Sequence, residues 1–290
     1  MHKFLKKAFG YCIMEYTHLL VRYGELFLKG KNRGIFERKL WGNIKAITGV
    51  NVSIKTQGRA ILPYFEGHGS LKRVFGLSSY SPAVRVEQDV EMIKEAVIKI
   101  LSGKEGTFRV ITNRADKRFH IKSPELNVLI GRYIEAKTSL RFSLDDATIK
   151  VGVEINQNGV FLFTETIPCF GGLPTGVEGK VILLLEDESS VLAGLLMMKR
   201  GVSVFPVGFH SVDISLMQKY SLVKITSKLV ESHEELEKYA ASFGITVMVT
   251  GERFETLQEN KTSMMVLKPL VAYDEGRVEG EMKEYNKCLV

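Results

Sequence analysis

Five apolar residues in a row, Val181 to Leu185, stand directly after the glycine-rich connector PCFGGLPTGVEGK and before an apolar pattern at helical spacing over 189–200. A strand with no polar face must be covered on both sides, and a parallel sheet with helices above and below is the usual solution. Strand patterns at 202–209 and 245–249, with helical patterns at 216–232 and 234–243, continue this arrangement. Residues 169–290 are therefore expected to form a small doubly wound α/β layer.

The chain before the connector follows a different grammar. Residues 17–28 read as a strand, LKGKNRG as a turn, and 33–47 as a helix with Ile35, Phe36, Leu40, Ile44 and Ile47 near helical spacing. Strands at 52–55 and 60–64 and a short helix at 68–75 ending at Gly76 complete a small α+β layer. A second unit follows: strand 83–86, helix 89–101, strand 107–112, helix 123–140 and strands 149–155 and 160–166. Asp89, and Ser123 before Pro124, are expected helix N-caps.

Charge divides the same way. Residues 1–168 hold 27 Lys and Arg against 16 Asp and Glu, a net +11, whereas residues 169–290 hold 13 against 17, a net −4. A basic first half points to a polyanion, and nucleic acid is the first candidate. With 45% hydrophobic residues and only 7 prolines, disordered and collagen-like readings are excluded. No apolar run approaches the ~20 residues that span a bilayer, so no membrane partner is expected. Cys12, Cys169 and Cys288 are too few and too scattered for a disulfide framework or a zinc knuckle, which places the chain in the cytoplasm. The opening MHKFLKKAFGYCI lacks a cleavage pattern and reads as an extension, poorly ordered, outside the fold.

Two basic clusters carry the nucleic-acid reading. RYGELFLKGKNRG brings Arg22, Lys29, Lys31, Asn32 and Arg33 onto one turn, where several cations can neutralise neighbouring phosphates. FRVITNRADKRFHIKSPELN places Arg109, Arg114, Lys117, Arg118, His120 and Lys122 between a strand end and a helix start, whose free amides add anion affinity. Phe119 and His120 offer rings for an unpaired base, with a core role the simpler reading for Phe119. His and Cys spacing gives no metal site.

These segments, with RVFGLSSYSPAVRVEQD and IPCFGGLPTGVEGKV, resemble the tRNA 4-thiouridine synthetases, also called tRNA sulfurtransferases, over about residues 16–201. The resemblance implies an α/β and α+β multidomain protein. After the extension at 1–13 come a ferredoxin-like domain at 14–80, a THUMP RNA-binding domain at 81–168 and a truncated PP-loop (Rossmann-like) domain at 169–290. It also implies tRNA, gripped at its acceptor end, as the partner. Pairing of two copies is a further implication, as is a uridine adenylated with ATP before sulfur replaces its oxygen.

The chain departs from the family where that chemistry belongs. The family's S-G-G-x-D-S loop, whose glycines admit a pyrophosphate, falls on Leu185, Glu186, Asp187, Glu188, Ser189 and Ser190, beside Leu184. A carboxylate 5 Å from a phosphate charge costs about 3 kcal/mol at an effective dielectric near 20. Acids in the first turn of a helix, by contrast, suit its dipole, with Ser189 an acceptable cap. A divalent cation bridging acids and phosphate is the third option. Phe209, Gly251 and the VTGE segment at 249–252 resemble later nucleotide contacts, and Asn260 stands where the family carries a Gln. The stretch 211–250 is short by roughly one βα unit. EYNKCLV makes Cys288 a conceivable sulfur carrier if Lys283 and Lys287 lower its pKa; the alternative is an inert thiol.

Two readings follow. The first is a tRNA-binding protein of this family without ATP-dependent adenylation and without a cofactor. The second is an active sulfurtransferase using ATP with Mg through an altered loop, with 4-thiouridine synthesis, and thiamine thiazole sulfur transfer, as the implied products. A structural subunit that docks another protein through the acidic half is a third possibility.

Overall fold

The computed structural model describes residues 15–56, 58–259 and 261–288; the N-terminal extension, Cys12 and Asn260 lie outside the described residues. The elements of the first half are β1 (His18–Arg22), α1 (Arg33–Thr48), β2 (Ile54–Thr56), β3 (Arg59–Pro63), β4 (Ser79–Val86), α2 (Val90–Leu101), β5 (Thr107–Arg114), α3 (Ser123–Lys137), β6 (Arg141–Phe142), β7 (Ile149–Asn156), β8 (Gly159–Phe163) and β9 (Ile167–Pro168). Its strands form one sheet in the order β2-β3-β1-β4-β8-β7-β5-β6, with β9 paired to β4.

Strand alternation separates the two faces of this sheet. Leu19, Val21, Ala60 and Leu62 point toward α1 and its Phe36, Leu40 and Ile44. Further along, Val110, Val151, Val153 and Leu162 pack with Ile93 and Val97 of α2 and Leu126 and Ile130 of α3. The opposite face carries Leu20, Ile61, Ala83 and Phe161. One strand joins the halves: Ser79 to Ala83 of β4 pair with β1, and Val84 to Val86 pair with β8.

The second half contains β10 (Lys180–Leu185), α4 (Glu188–Lys199), β11 (Ser203–Gly208), α5 (Ser215–Tyr220), β12 (Lys228–Leu229), α6 (His233–Ser242), β13 (Val247–Val249), β14 (Met265–Leu267) and α7 (Glu275–Lys287). The strands are all parallel, in the order β12-β11-β10-β13-β14. The apolar run splits as its composition requires. Val181, Leu183 and Leu185 face a core shared with α4, α5 and α7, while Ile182 and Leu184 face α6 through Leu236 and Ala240.

An aromatic cluster locks the halves together. Phe170 stacks on Tyr285 with ring centroids 4.4 Å apart, Phe75 on Tyr220 at 5.5 Å, and the Tyr220 hydroxyl donates to the Tyr285 carbonyl at 2.6 Å. Each such ring pair contributes about 0.5–1.5 kcal/mol beyond its buried area.

Several expectations need correction. β1 stops at Arg22, and Glu25–Asn32 is a 3-10 segment rather than strand and turn, because Tyr23 and Leu26 turn inward to the core. Ile35 is exposed. The helix expected over 216–232 ends at Tyr220, where side chains capture the backbone: the Gln218 amide oxygen accepts from Ile225 N at 2.7 Å, and the Ser221 hydroxyl donates to Val223 O at 2.8 Å. α3 begins at Ser123 with Lys122 at the cap position and ends at Lys137. In α4 the cap is Asp187, not Ser189. Asp89 caps α2 as expected, accepting from Met92 N at 2.9 Å.

Candidate nucleic-acid interface and nucleotide loop

The two basic clusters begin at neighbouring strand ends: Arg22, which closes β1, lies 3.9 Å from Glu154, whose Cα partner on β5 is Asn113, next to Arg114. The 3-10 segment carrying Lys29, Lys31 and Asn32 follows β1, and the loop carrying Lys117, Arg118 and Lys122 follows β5. Arg33 and Arg114 are held by neighbouring groups, whereas Lys31, Lys117 and Lys122 are exposed. Arg33 Nε donates to Glu37 Oε1 at 2.7 Å, the same oxygen that accepts from the Tyr23 hydroxyl at 3.0 Å. Burial and that carboxylate push the Tyr23 phenol up to about 12. Lys31 and Asn32 are exposed.

In the second cluster Arg114 donates to the carbonyls of Phe119 at 2.6 Å and Ile121 at 3.3 Å, so it holds the loop's shape. Arg118 grips the buried Asp116 through Nε at 3.0 Å and a terminal nitrogen at 2.8 Å, yet keeps 76% of its side chain in solvent. Those hydrogen bonds hold the Asp116 carboxyl well below the usual carboxylate range. Lys117, His120 and Lys122 are exposed, whereas Phe119 is a core residue. Arg109 lies apart from them. It donates to Leu144 O at 3.2 Å and lines a recess of about 530 Å³ between β5 and α3, in which Arg109 Nε, Thr112 Oγ1 and Asn127 Oδ1 are buried without hydrogen-bond partners among the described residues.

The turn between β10 and α4 is occupied by its own side chains. Glu186 N and Asp187 N donate to the Ser190 hydroxyl at 3.0 and 3.3 Å, and Ser190 N donates to Asp187 Oδ1 at 3.1 Å. Three amides that an anion would need are thereby taken. His210 Nε2 adds a bond to Glu186 O at 2.9 Å. Gly251 sits flush against the same turn: a Cβ there would stand 2.4 Å from Ser190 N, so only glycine fits. Burial, then Glu252 and Asp187, raise the pKa of Glu186. Glu252 is itself buried and paired with Lys268 at 2.7 Å. Leu184 is a core residue, Glu188 opens the first turn of α4, Ser189 is half-buried, and Phe209 rests on His233 with centroids 4.9 Å apart.

Cys288 is half-exposed at the end of α7, and burial raises its thiol pKa against the opposing pull of Lys72. Lys287 bonds Glu284 at 2.6 Å and Lys283 bonds Glu279 at 3.1 Å, so neither acts on the thiol as the sequence suggested. Burial pushes Cys169 up to about 12.

What sequence reasoning missed is the carboxylate ligand of the turn. A D-x-x-S spacing ahead of an apolar helix was the available signal for Asp187 and Ser190. The contacts of Arg22 carried no such signal: it donates to Ser81 Oγ at 3.0 Å and lies over the Phe163 ring at 4.8 Å, both distant in sequence.

Residues 18–81 match the ThiI ferredoxin-like domain and residues 87–165 the THUMP domain. A probable tRNA sulfurtransferase of Mycoplasmopsis synoviae is 31% identical over 280 residues, covering 95% of this chain and 72% of that one. One of Brevibacillus brevis is 41% identical over 211 residues, covering 68% of this chain and 53% of its own length. The chain thus spans about half of that relative. A solved 4-thiouridine synthetase in complex with RNA and bound ATP superposes with a TM-score of 0.80 at 27% identity, over 94% of this chain and 86% of that one.

Proposed function

This chain belongs to the tRNA sulfurtransferase family, and from that premise we propose that it binds tRNA at the acceptor end through residues 14–168 while residues 169–290 no longer adenylate it. The RNA contacts are the outward cations Lys31, Lys117, Arg118 and Lys122, with Lys29 and Asn32 beside them. Arg33 and Arg114 shape the segments that present these cations.

The observation that carries the loss of adenylation is the closed turn at 186–190. The amides of Glu186, Asp187 and Ser190 are bonded to the Ser190 hydroxyl and the Asp187 carboxylate, which supports the reading that no pyrophosphate is held there. Displacing them would break the cap of α4 and set phosphate beside Glu186, Asp187 and Glu188. Calorimetry with ATP and Mg, with and without tRNA, tests this: no heat and no AMP supports the reading, and AMP release dependent on tRNA overturns it. The second outcome has a basis in the related synthetase that holds ATP. RNA affinity that falls steeply with salt supports the first half of the proposal, and a flat response removes it.

A further inference from the structure

The open face of the nine-stranded sheet holds a recess of about 570 Å³. Arg22 of β1, Arg59 of β3 and Lys150 of β7 line it, with Glu154 as its one carboxylate. Glu154 is 4% exposed; it accepts from Arg59 Nε at 2.7 Å and lies 3.9 Å from Arg22. Two guanidinium groups therefore share one carboxylate, and Lys150 has no acidic partner among the described residues. The recess carries a net charge of +2 from three cations and one anion.

Its donors are fixed in place rather than free to drift. Gly152 makes room for the Phe163 ring, since a Cβ there would stand 2.2 Å from it, and Arg22 lies over that ring at 4.8 Å. Arg59 also donates to Gly58 O at 2.9 Å. Of the five N–H donors on each guanidinium, these contacts use only a minority, and the planar fork suits a tetrahedral oxyanion. Burial lowers the Arg22 pKa, and the nearby Arg59 adds to that against the pull of Glu154. Lys150 stands four residues along β7 from Glu154, about 13 Å away at strand rise, so the cations bracket an elongated slot.

The geometry points to this recess as a phosphate-binding site, formed by Arg22, Arg59 and Lys150 and positioned by Glu154. Its ligand is a phosphate-bearing one, either a phosphodiester strand or a free oligophosphate. The site uses none of Lys31, Lys117, Arg118 and Lys122, so it can fail while the tRNA reading stands.

The test uses the full chain at low salt, with inorganic pyrophosphate and a short single-stranded RNA as separate probes. At least one probe is expected to bind, and the one that does identifies the source. Arg59→Gln is expected to weaken it at least about tenfold. Lys150→Gln, at an exposed position without bonds to lose, weakens it about threefold and covers the case in which the Arg59 variant misfolds. Absence of binding by either probe, or binding that Lys150→Gln and Arg59→Gln both leave unchanged, overturns the site. RNA binding lost on Lys31→Gln but untouched by Lys150→Gln also overturns it, and leaves the basic loops as the interface.

Discussion

The guanidinium of Arg59 donates to the carboxylate of Glu154 at 2.7 Å, although β1, β4 and β8 lie between their strands. Four strand steps in a flat sheet cover about 19 Å, so the sheet must curl until β3 and β7 face each other. Glu154→Gln leaves two guanidinium groups facing each other without their counter-charge. A loss of about 1–3 kcal/mol in denaturant unfolding is expected. A smaller loss would mean that side-chain packing alone sets the curl.

Removing the cap of α4 should weaken the fold and open the turn. Asp187→Ala is expected to cost about 1 kcal/mol by urea titration, the usual value of a lost N-cap. An unchanged midpoint would show that the turn does not rely on its own carboxylate.

The raised pKa of Glu186 gives a pH-dependent test. A carboxyl titrating higher in the folded chain than in the unfolded one favours the fold while protonated, and that contribution fades as pH rises through its folded value. At neutral pH the ionised group is therefore a liability. Glu186→Gln should raise Tm at pH 7, with the gain shrinking toward pH 4. A gain that is the same at both values would point to packing rather than charge.

Cutting one pair in the aromatic cluster should affect the whole chain. Tyr220→Phe removes the donor to the buried Tyr285 carbonyl, and about 1–3 kcal/mol of stability should be lost. Differential scanning calorimetry should show a lower transition, and an unchanged one would mean that the ring contacts suffice.

Lysine and arginine substitutions should behave differently in RNA binding. Lys31→Gln and Lys117→Gln are each expected to reduce the slope of log affinity against log salt by about one. Arg114→Gln should instead lower thermal stability, since its donors serve the carbonyls of Phe119 and Ile121. Equal effects on the slope from all three would show that Arg114 also reaches phosphate.

Much of the fold was legible because it is local or periodic. The apolar run from Val181 to Leu185, the Asp89 cap and the core residues Phe36, Leu40 and Ile44 of α1 follow from patterns that the residues themselves carry. The helix expected beyond Tyr220 failed for a physical reason. Val223 continues the apolar spacing but is 67% exposed, so no core rewards extending the helix, and nearby polar side chains bend it off. The basic clusters were readable as positive charge, but not as separate roles. For Arg22 the partners come from elsewhere in the fold, Ser81 and Phe163, whereas Glu37 for Arg33 and Asp116 for Arg118 lie only four and two residues away, and local spacing did not say which of these cations stay in solvent.

The double allegiance of β4 makes the first half indivisible. A break after residue 80 would tear one strand in two, stripping Ser81 to Ala83 from β1 while leaving Ser79 and Tyr80 behind. Each fragment would carry a raw apolar edge, a template for aggregation. Transplants or truncations of this protein should therefore keep residues 18–168 as one cassette, and a shorter piece is expected in the insoluble fraction.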